Sequence, residues 1–186
     1  MGDYHFEPHS LILVTGIPGS GKRTLIERLV QHIHVTYIDS DKIKDIRTTL
    51  REGEFYEKIV RQETYMEIDS RVMNDLKAGN SVLVRATYST EVKNPNWIDR
   101  YVTMTQDTGS QLKLIRCVAP EYIIRQRLEK RDYERDKSKL KDWKGFLERE
   151  PIHVPMPDGS IELDTSNGLE QCVEISLGFL KNGKIF

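Results

Sequence analysis

The residues with the clearest chemical meaning in this sequence lie near its beginning. The segment Gly-Ile-Pro-Gly-Ser-Gly-Lys occupies residues 16–22 and is here termed the glycine loop. Its glycines let backbone N–H groups curl around phosphate oxygens, and its lysine can reach the terminal phosphates of a nucleotide. An apolar run precedes it and a helical apolar pattern follows it, so an ordinary glycine-rich turn is the weaker alternative. The predicted nucleotide-binding residues are Gly16, Pro18, Gly19, Ser20, Gly21, Lys22 and Arg23.

Arg23 departs from the Walker A, or P-loop, pattern that the glycine loop otherwise follows. That pattern places a Ser or Thr after the lysine, and the hydroxyl of this residue holds Mg²⁺. An arginine has no hydroxyl, whereas the backbone donors of the loop remain. The change therefore weakens the prediction of catalysis more than the prediction of phosphate binding. We expect the backbone of Gly19, Gly21, Lys22 and Arg23 to hold a phosphate group.

A second candidate, Asp41, follows a predicted strand at residues 36–39. It lies near the positive end of the next helix, and beside the glycine loop if the strands are parallel. A carboxylate there could accept the proton of an attacking hydroxyl. The alternative is that Ser40 or Asp41 only caps the helix, with Ile43 and Ile46 facing the core. The glycine loop favours the catalytic interpretation.

A third candidate group is a pair of arginines on a helix that opens at Pro120. Arg127 and Arg131 are four residues apart and share one face, and Arg135 is next in the series. Guanidinium groups in a row could clamp phosphate oxygens, and a mobile helix could close over them as a lid. Because acidic residues alternate with these arginines, a solvated charged helix is the stronger alternative from spacing alone.

The elements that must position these residues form an alternating series. Short apolar runs predict five strands at residues 11–15, 36–39, 81–85, 111–119 and 160–164, and helical patterns separate them. One helical pattern extends from Tyr56 to Leu76 and ends before Gly79. This alternation predicts an α/β fold in which a mostly parallel sheet is covered by helices on both faces. Ligands bind beyond the carboxyl ends of the strands in such sheets.

Length and composition predict a single domain over residues 1–186. A net charge of −1 with 31% charged residues gives no field that favours duplex DNA or an anionic membrane. The first ten residues suit neither a signal peptide nor a spanning helix. Cys117 and Cys172 are predicted to be buried, reduced thiols in a cytoplasmic protein.

Taken together, these motifs resemble the P-loop kinases related to polynucleotide 5′-hydroxyl kinase and zeta toxin. The resemblance rests on the glycine loop, on an Asp after the second strand, and on a Pro followed by an Arg-x-x-x-Arg helix after the fourth. It covers roughly residues 11–165. It implies a three-layer fold with a five-stranded parallel sheet in the order 2-3-1-4-5, and a helical lid at about residues 120–150.

The resemblance also implies roles for individual residues. Lys22 would hold the β- and γ-phosphates of ATP or GTP, and Thr24 the α-phosphate. Asp41 would be the base, and Lys44 on the same helix a cation on the substrate side. Arg127 and Arg131 would be the clamps of the lid. Mg²⁺ is the family's expected cofactor, with Asp39 or Asp41 as its candidate ligand.

Arg85 is a second departure from the family pattern. It ends the third strand, where these kinases commonly carry an aspartate that supports the metal through water. In the implied sheet order, Arg85 would face both Asp39 and the glycine loop, within ion-pair reach of Asp39 or Asp41. It could pair with a carboxylate or contact phosphate directly, so it is a predicted substrate-site residue together with Asp41 and Lys44. Arg23 and Arg85 together are expected to lie near the phosphate site and to weaken dependence on Mg²⁺.

Three functions are consistent with these residues. The leading one is an ATP-dependent kinase acting on a hydroxyl of a small molecule or a nucleic-acid end. The second is a nucleotide-binding protein with lost or reduced catalysis, because Arg23 and Arg85 replace metal-supporting residues. The third and weakest is a nucleic-acid-binding module using residues 125–144, where basic and acidic residues alternate. Acceptor specificity would reside in residues 55–71, 86–97 and 150–159.

Overall fold

The strands observed match those predicted to within one residue at one end. The computed structural model describes residues 4–47, 59–89 and 91–182. Its strands are β1 (Ser10–Thr15), β2 (Thr36–Asp39), β3 (Val82–Arg85), β4 (Gln111–Val118) and β5 (Ile161–Asp164). They form one parallel sheet in the order β2-β3-β1-β4-β5. The predicted α/β class and the sheet order implied by the resemblance are both confirmed.

Helices cover the two faces of this sheet. They are α1 (Lys22–Leu29), α2 (Ser40–Arg47), α3 (Arg61–Lys77), α4 (Pro95–Asp107), α5 (Glu121–Arg131), α6 (Glu134–Lys141), α7 (Trp143–Arg149) and α8 (Leu169–Asn182). Alternate residues of β1 face opposite ways, as the pleat of a strand requires. Leu11 and Leu13 pack with α3 and α4, whereas Ile12 and Val14 pack with α1 and α8. The sheet is therefore the middle layer of the fold and is buried on both faces.

The segment predicted to be a helical lid consists of three helices, α5, α6 and α7, over a small apolar cluster that includes Ile124, Leu128 and Phe146. The prediction that Arg135 continues the series of Arg127 and Arg131 on one helix is wrong. The helix α5 ends at Arg131, because Asp132 adopts the left-handed conformation with φ 45°. Arg135 therefore belongs to a separate helix, α6.

Other sequence predictions concern single elements. The helix predicted from Tyr56 to Leu76 is α3, and residues 56–58 of that prediction lie outside the described residues. Residues 55–58 and 90 of the predicted specificity segments also lie outside the described residues.

Cys117 in β4 and Cys172 in α8 are buried free thiols, as predicted. Within the described ranges, every helix is too short or too polar to cross a membrane.

Candidate nucleotide-binding site

The glycine loop turns sharply from the end of β1 into the first turn of α1. Gly16 and Gly21 have φ angles of 131° and 85°, which residues other than glycine rarely adopt. A Cβ at Gly16 would lie 2.3 Å from the carbonyl oxygen of Cys117, and one at Gly21 would lie 2.8 Å from Thr165 Oγ1. Both positions therefore require glycine. The loop leads into the N-terminus of α1, whose first N–H groups have no partner inside the helix.

Lys22 is folded back onto the loop that precedes it. Its Nζ donates to two carbonyl oxygens, that of Gly16 and that of Ile17, the latter at 2.9 Å. Nζ also lies 3.4 Å from Ser20 Oγ. The side chain is buried, and burial together with the positive charge of Arg85 lowers the pKa of Lys22 to about 7. The ammonium group thus occupies the concave side of the loop.

Arg85 links the ends of two neighbouring strands. Asp39 and Arg85 are register partners in β2 and β3. The Arg85 guanidinium donates to Asp39 Oδ1 from Nε at 3.1 Å and from Nη2 at 2.8 Å, and Nη2 also donates to Asp41 Oδ2 at 2.8 Å. The predicted ion-pair contact is confirmed, and it joins Arg85 to both carboxylates rather than to one.

Asp41 lies at the start of α2 within this cationic surrounding. Arg135 of α6 approaches its Oδ2 at 3.4 Å. Burial raises the pKa of Asp41, but Arg85, followed by Lys44 and Arg135, outweighs burial and holds the pKa well below its usual range. The carboxylate is therefore ionised at neutral pH.

The side chain that caps α2 is Asp39, not Ser40 or Asp41 as the alternative interpretation expected. Asp39 Oδ1 accepts the backbone N–H of Asp41 at 2.9 Å. Ile43 is buried, but Ile46 is 82% exposed, so only one of the two isoleucines faces the core. Because another residue caps the helix, the Asp41 carboxylate is left to face the cavity described below.

Arg127 ties α5 to the loop and to the end of the sheet. Its guanidinium donates to Gly19 O at 3.3 Å, to Thr165 Oγ1 at 2.8 Å and to Thr165 O at 2.9 Å. One turn later, Arg131 pairs with Asp136 of α6, with Nε 2.5 Å from Oδ2. The side chains of Arg127 and Arg131 are thus fixed by different partners, and both line the cavity described next.

These residues surround one cavity of about 620 Å³ at the carboxyl ends of the strands. Among the predicted site residues, Gly16, Ser20 and Asp39 do not line it. Those that do are Pro18, Gly19, Gly21, Lys22, Arg23, Thr24, Asp41, Lys44, Arg85, Arg127 and Arg131. Eight cationic and three acidic side chains line the cavity. A cavity with this excess of positive charge suits a polyphosphate.

Sequence reasoning missed three charged lining residues of the lid segment: Asp136, Lys139 and Glu150. Asp136 is 1% exposed although its surroundings in the sequence are strongly charged. No local pattern distinguishes these residues from the solvated charges around them. Glu150 opens the 150–159 segment that was predicted to influence acceptor specificity, and this was the only signal that pointed to it.

A protein-held Mg²⁺ does not fit these side chains. The carboxylates of Asp39 and Asp41 both accept hydrogen bonds from Arg85, and position 23 carries a guanidinium instead of a hydroxyl. Within the described part of the chain, no three His, Cys, Asp or Glu residues are grouped as a metal site would need. The side chains that would hold the metal in the family pattern are thus replaced or already paired with arginine.

The sequence itself matches a known family over most of its length. A family model described as an AAA domain matches residues 11–149. The chain belongs to this family. Its matched region begins in β1 and ends with α7, so it includes the glycine loop, Asp41, Arg85, Arg127 and Arg131. No curated protein sequence matches the chain.

Several solved structures share this fold, and two of the three described here are named as kinases. A sugar kinase from Janibacter sp. HTCC2649 is 18% identical with a TM-score of 0.68, covering 93% of this chain and 95% of its own. The Mycobacterium tuberculosis APS kinase CysC, in complex with AMPPNP and APS, is 18% identical with a TM-score of 0.64, covering 93% and 98%. The Pnkp1/Rnl/Hen1 RNA repair complex contains a chain that is 17% identical with a TM-score of 0.54, covering 88% and 55%.

These identities are low, and the likeness shows a shared fold. Together with the family match, it confirms the predicted resemblance to P-loop kinases and the kinase-type arrangement of the sheet.

Proposed function

We propose that this chain is an ATP- or GTP-dependent phosphotransferase that acts on a hydroxyl group. The observation that carries the proposal is that an ionised carboxylate, Asp41, and the glycine loop line the same cation-rich cavity. Backbone donors of the loop would hold the phosphates, and Asp41 would hold the acceptor hydroxyl. The kinase neighbours support this proposal, since one of them is described with both a nucleotide analogue and a second ligand.

In this mechanism the acceptor hydroxyl donates its hydrogen bond to Asp41 and its oxygen attacks the γ-phosphorus. The bond to the bridging oxygen of the β-phosphate breaks, the nucleoside diphosphate leaves, and the hydroxyl proton passes to Asp41. A low pKa at Asp41 is compatible with this role because phosphoryl transfer has a loose transition state that needs little help from a strong base. Lys22, Arg127 and Arg131 would neutralise the charge on the transferred group.

A second candidate function is nucleotide binding with little or no catalysis. It is favoured by one observation, the pairing of Arg85 with both Asp39 and Asp41, which blocks the carboxylates that would otherwise support a metal. In this reading, Arg23 and Arg85 supply part of the positive charge that a metal would bring. In the first candidate function, the phosphoryl acceptor would be a small molecule or a nucleic-acid end. In the second candidate function there would be no acceptor.

Replacing Lys22 with alanine tests the nucleotide site that both candidates share. We expect the Kd for ATP to rise about tenfold or more, since a charge-assisted contact to the phosphates is lost. The measurement is isothermal titration of ATP and GTP into the wild type and into Lys22→Ala. Lys77→Ala, at the exposed end of α3, is the matched control. A wild type that binds neither nucleotide would rule out the proposed function.

Replacing Arg23 with serine tests whether this arginine weakens the effect of Mg²⁺, as the second candidate requires. Arg23 is exposed and lines the cavity, so the change restores the hydroxyl without removing a buried ion pair. We expect Mg²⁺ to tighten ATP binding by about threefold to tenfold more in Arg23→Ser than in the wild type, because the fixed guanidinium no longer repels the cation. Arg28→Ser, at a half-buried position of α1 that does not line the cavity, is the control. An unchanged Mg²⁺ effect would show that Arg23 does not act on the metal.

A further inference from the structure

One carboxylate of the cavity has no part in the transfer described above. Glu150 follows α7 and lines the cavity. Its Oε2 atom is buried without a hydrogen-bond partner among the described residues, and burial raises the pKa of the group. A buried carboxylate oxygen that receives no hydrogen bond is costly to keep, so a purely structural role gives no reason for it.

The backbone around Glu150 is firmly held. Arg116 of β4 is fully buried, and its guanidinium donates to Pro151 O at 2.8 Å and to Ile152 O at 2.9 and 3.1 Å. On the other side, the N–H of Glu150 donates to Phe146 O at 2.8 Å, and Phe146 is itself buried. The carboxylate is therefore presented to the cavity from a fixed backbone rather than from a loose surface loop.

Glu150 shares its electrostatic surroundings with Asp41. The charges of Lys22 and Lys44 act on both carboxylates, and Glu150 is also influenced by Arg61 and Lys139. Asp41 and Glu150 also line the same cavity. Glu150 is therefore available to an acceptor that the proposed mechanism places at Asp41.

The charge of Glu150 and the charges around it limit the kind of group that Glu150 can bind. A carboxylate repels the phosphates of the nucleotide, and the eight cations of the cavity oppose a positively charged ligand. A neutral hydroxyl can donate a hydrogen bond to Glu150, and neither of these two repulsions excludes it. The cavity volume of about 620 Å³ is typical of sites for small molecules.

We propose that Glu150 binds the phosphoryl acceptor by accepting a hydrogen bond from a hydroxyl other than the one that reacts at Asp41. The acceptor is then a small polyhydroxylated molecule. This inference rests on the proposed function and adds the substrate class to it. Arg116 acts as a positioning residue, because it touches the backbone after Glu150 and not the ligand.

The test uses pairs of probes that differ by one hydroxyl: D-ribose and 2-deoxy-D-ribose, D-gluconate and 2-deoxy-D-gluconate, glycerol and 1,2-propanediol. ADP formation from ATP is followed with the wild type, with Glu150→Gln, and with the control Glu148→Gln, whose side chain is exposed. We expect the wild type to phosphorylate at least one polyhydroxy probe. Glu150→Gln should raise the KM for that probe by about 10- to 100-fold, as expected for loss of a hydrogen bond to a charged group.

A second readout distinguishes binding from a structural role. The probe that lacks the contacted hydroxyl should show a raised KM in the wild type and no further rise in Glu150→Gln. The Kd for ATP and the thermal unfolding midpoint should stay close to the wild-type values. An equal KM in the wild type and Glu150→Gln, or a KM effect that persists without the hydroxyl, would overturn the proposal.

Two further outcomes separate this inference from the proposed function. Phosphorylation of a 5′-hydroxyl oligonucleotide but of no polyhydroxy probe would overturn the small-molecule class and retain the phosphotransferase. ATP binding without transfer to any probe would overturn the role of Glu150 and favour the second candidate function. Absence of ATP binding would instead overturn the proposed function itself.

Discussion

Replacing Arg85 with alanine is expected to lower the free energy of unfolding by about 3–5 kcal/mol, the usual cost of removing one partner from a buried ion pair. Asp39 and Arg85 are 6% and 8% exposed, and the guanidinium is held by two carboxylates. Without it, the Asp39 carboxylate stays buried next to the negative charge of Asp41. Urea denaturation of the wild type and Arg85→Ala gives the difference directly.

Two variants control this result. Arg125→Ala removes an exposed pair with Glu129, in which both side chains are more than half exposed, and should cost under about 1 kcal/mol. Arg85→Ala combined with Asp39→Asn should recover part of the loss, because no charge is then left unpaired at position 39. A loss in Arg85→Ala no larger than in Arg125→Ala would show that the buried pair contributes little.

Replacing Asp41 with asparagine is expected to lower phosphoryl transfer by on the order of 100-fold or more while the Kd for ATP changes little. Asparagine keeps the shape of the side chain but loses the negative charge that accepts the hydroxyl proton. Because Asp39 caps α2, the change leaves the helix start intact. The measurement is ADP formation from ATP with the polyhydroxy probes, together with titration of ATP.

Asp107→Asn, at the exposed end of α4, is the matched control and should keep the wild-type rate. Thermal unfolding of Asp41→Asn shows whether loss of the contacts with Arg85 and Arg135 disturbs the fold. A variant that transfers phosphate as fast as the wild type would exclude Asp41 as the base. Its role would then be limited to neutralising these two arginines.

The sequence determined the strands, their parallel arrangement and the nucleotide-binding loop. The strands depend on local patterns, because apolar runs form them. Gly16 and Gly21 have positive φ angles that the motif itself displays, although the atoms that a Cβ would meet belong to residues distant in the chain. Burial on both faces of a parallel sheet leaves a continuous apolar pattern that a single sequence displays. The site could therefore be placed at the carboxyl ends of the strands before any coordinates were known.

The break between α5 and α6 was not predictable in the same way. Asp132 is a non-glycine residue in the left-handed conformation, and the charged pattern around it continues on both sides. The left-handed conformation of Asp132 ends the helix there. As a result, Arg135 reaches Asp41 from a separate helix instead of following Arg131 along one face.

Only the tertiary structure decided how the charges of the site are paired. Arg85 lies 46 residues from Asp39 in sequence, and their contact depends on β2 and β3 being neighbours. The resemblance implied that neighbourhood, but a pattern of residues could not show that one guanidinium holds both Asp39 and Asp41, or that Asp39 caps α2. Glu150 faces the same lysines as Asp41 because Arg116 fixes the backbone beyond α7. Local periodicity reports which residues are buried, whereas the partner of a buried charge is chosen by elements that are distant in the chain.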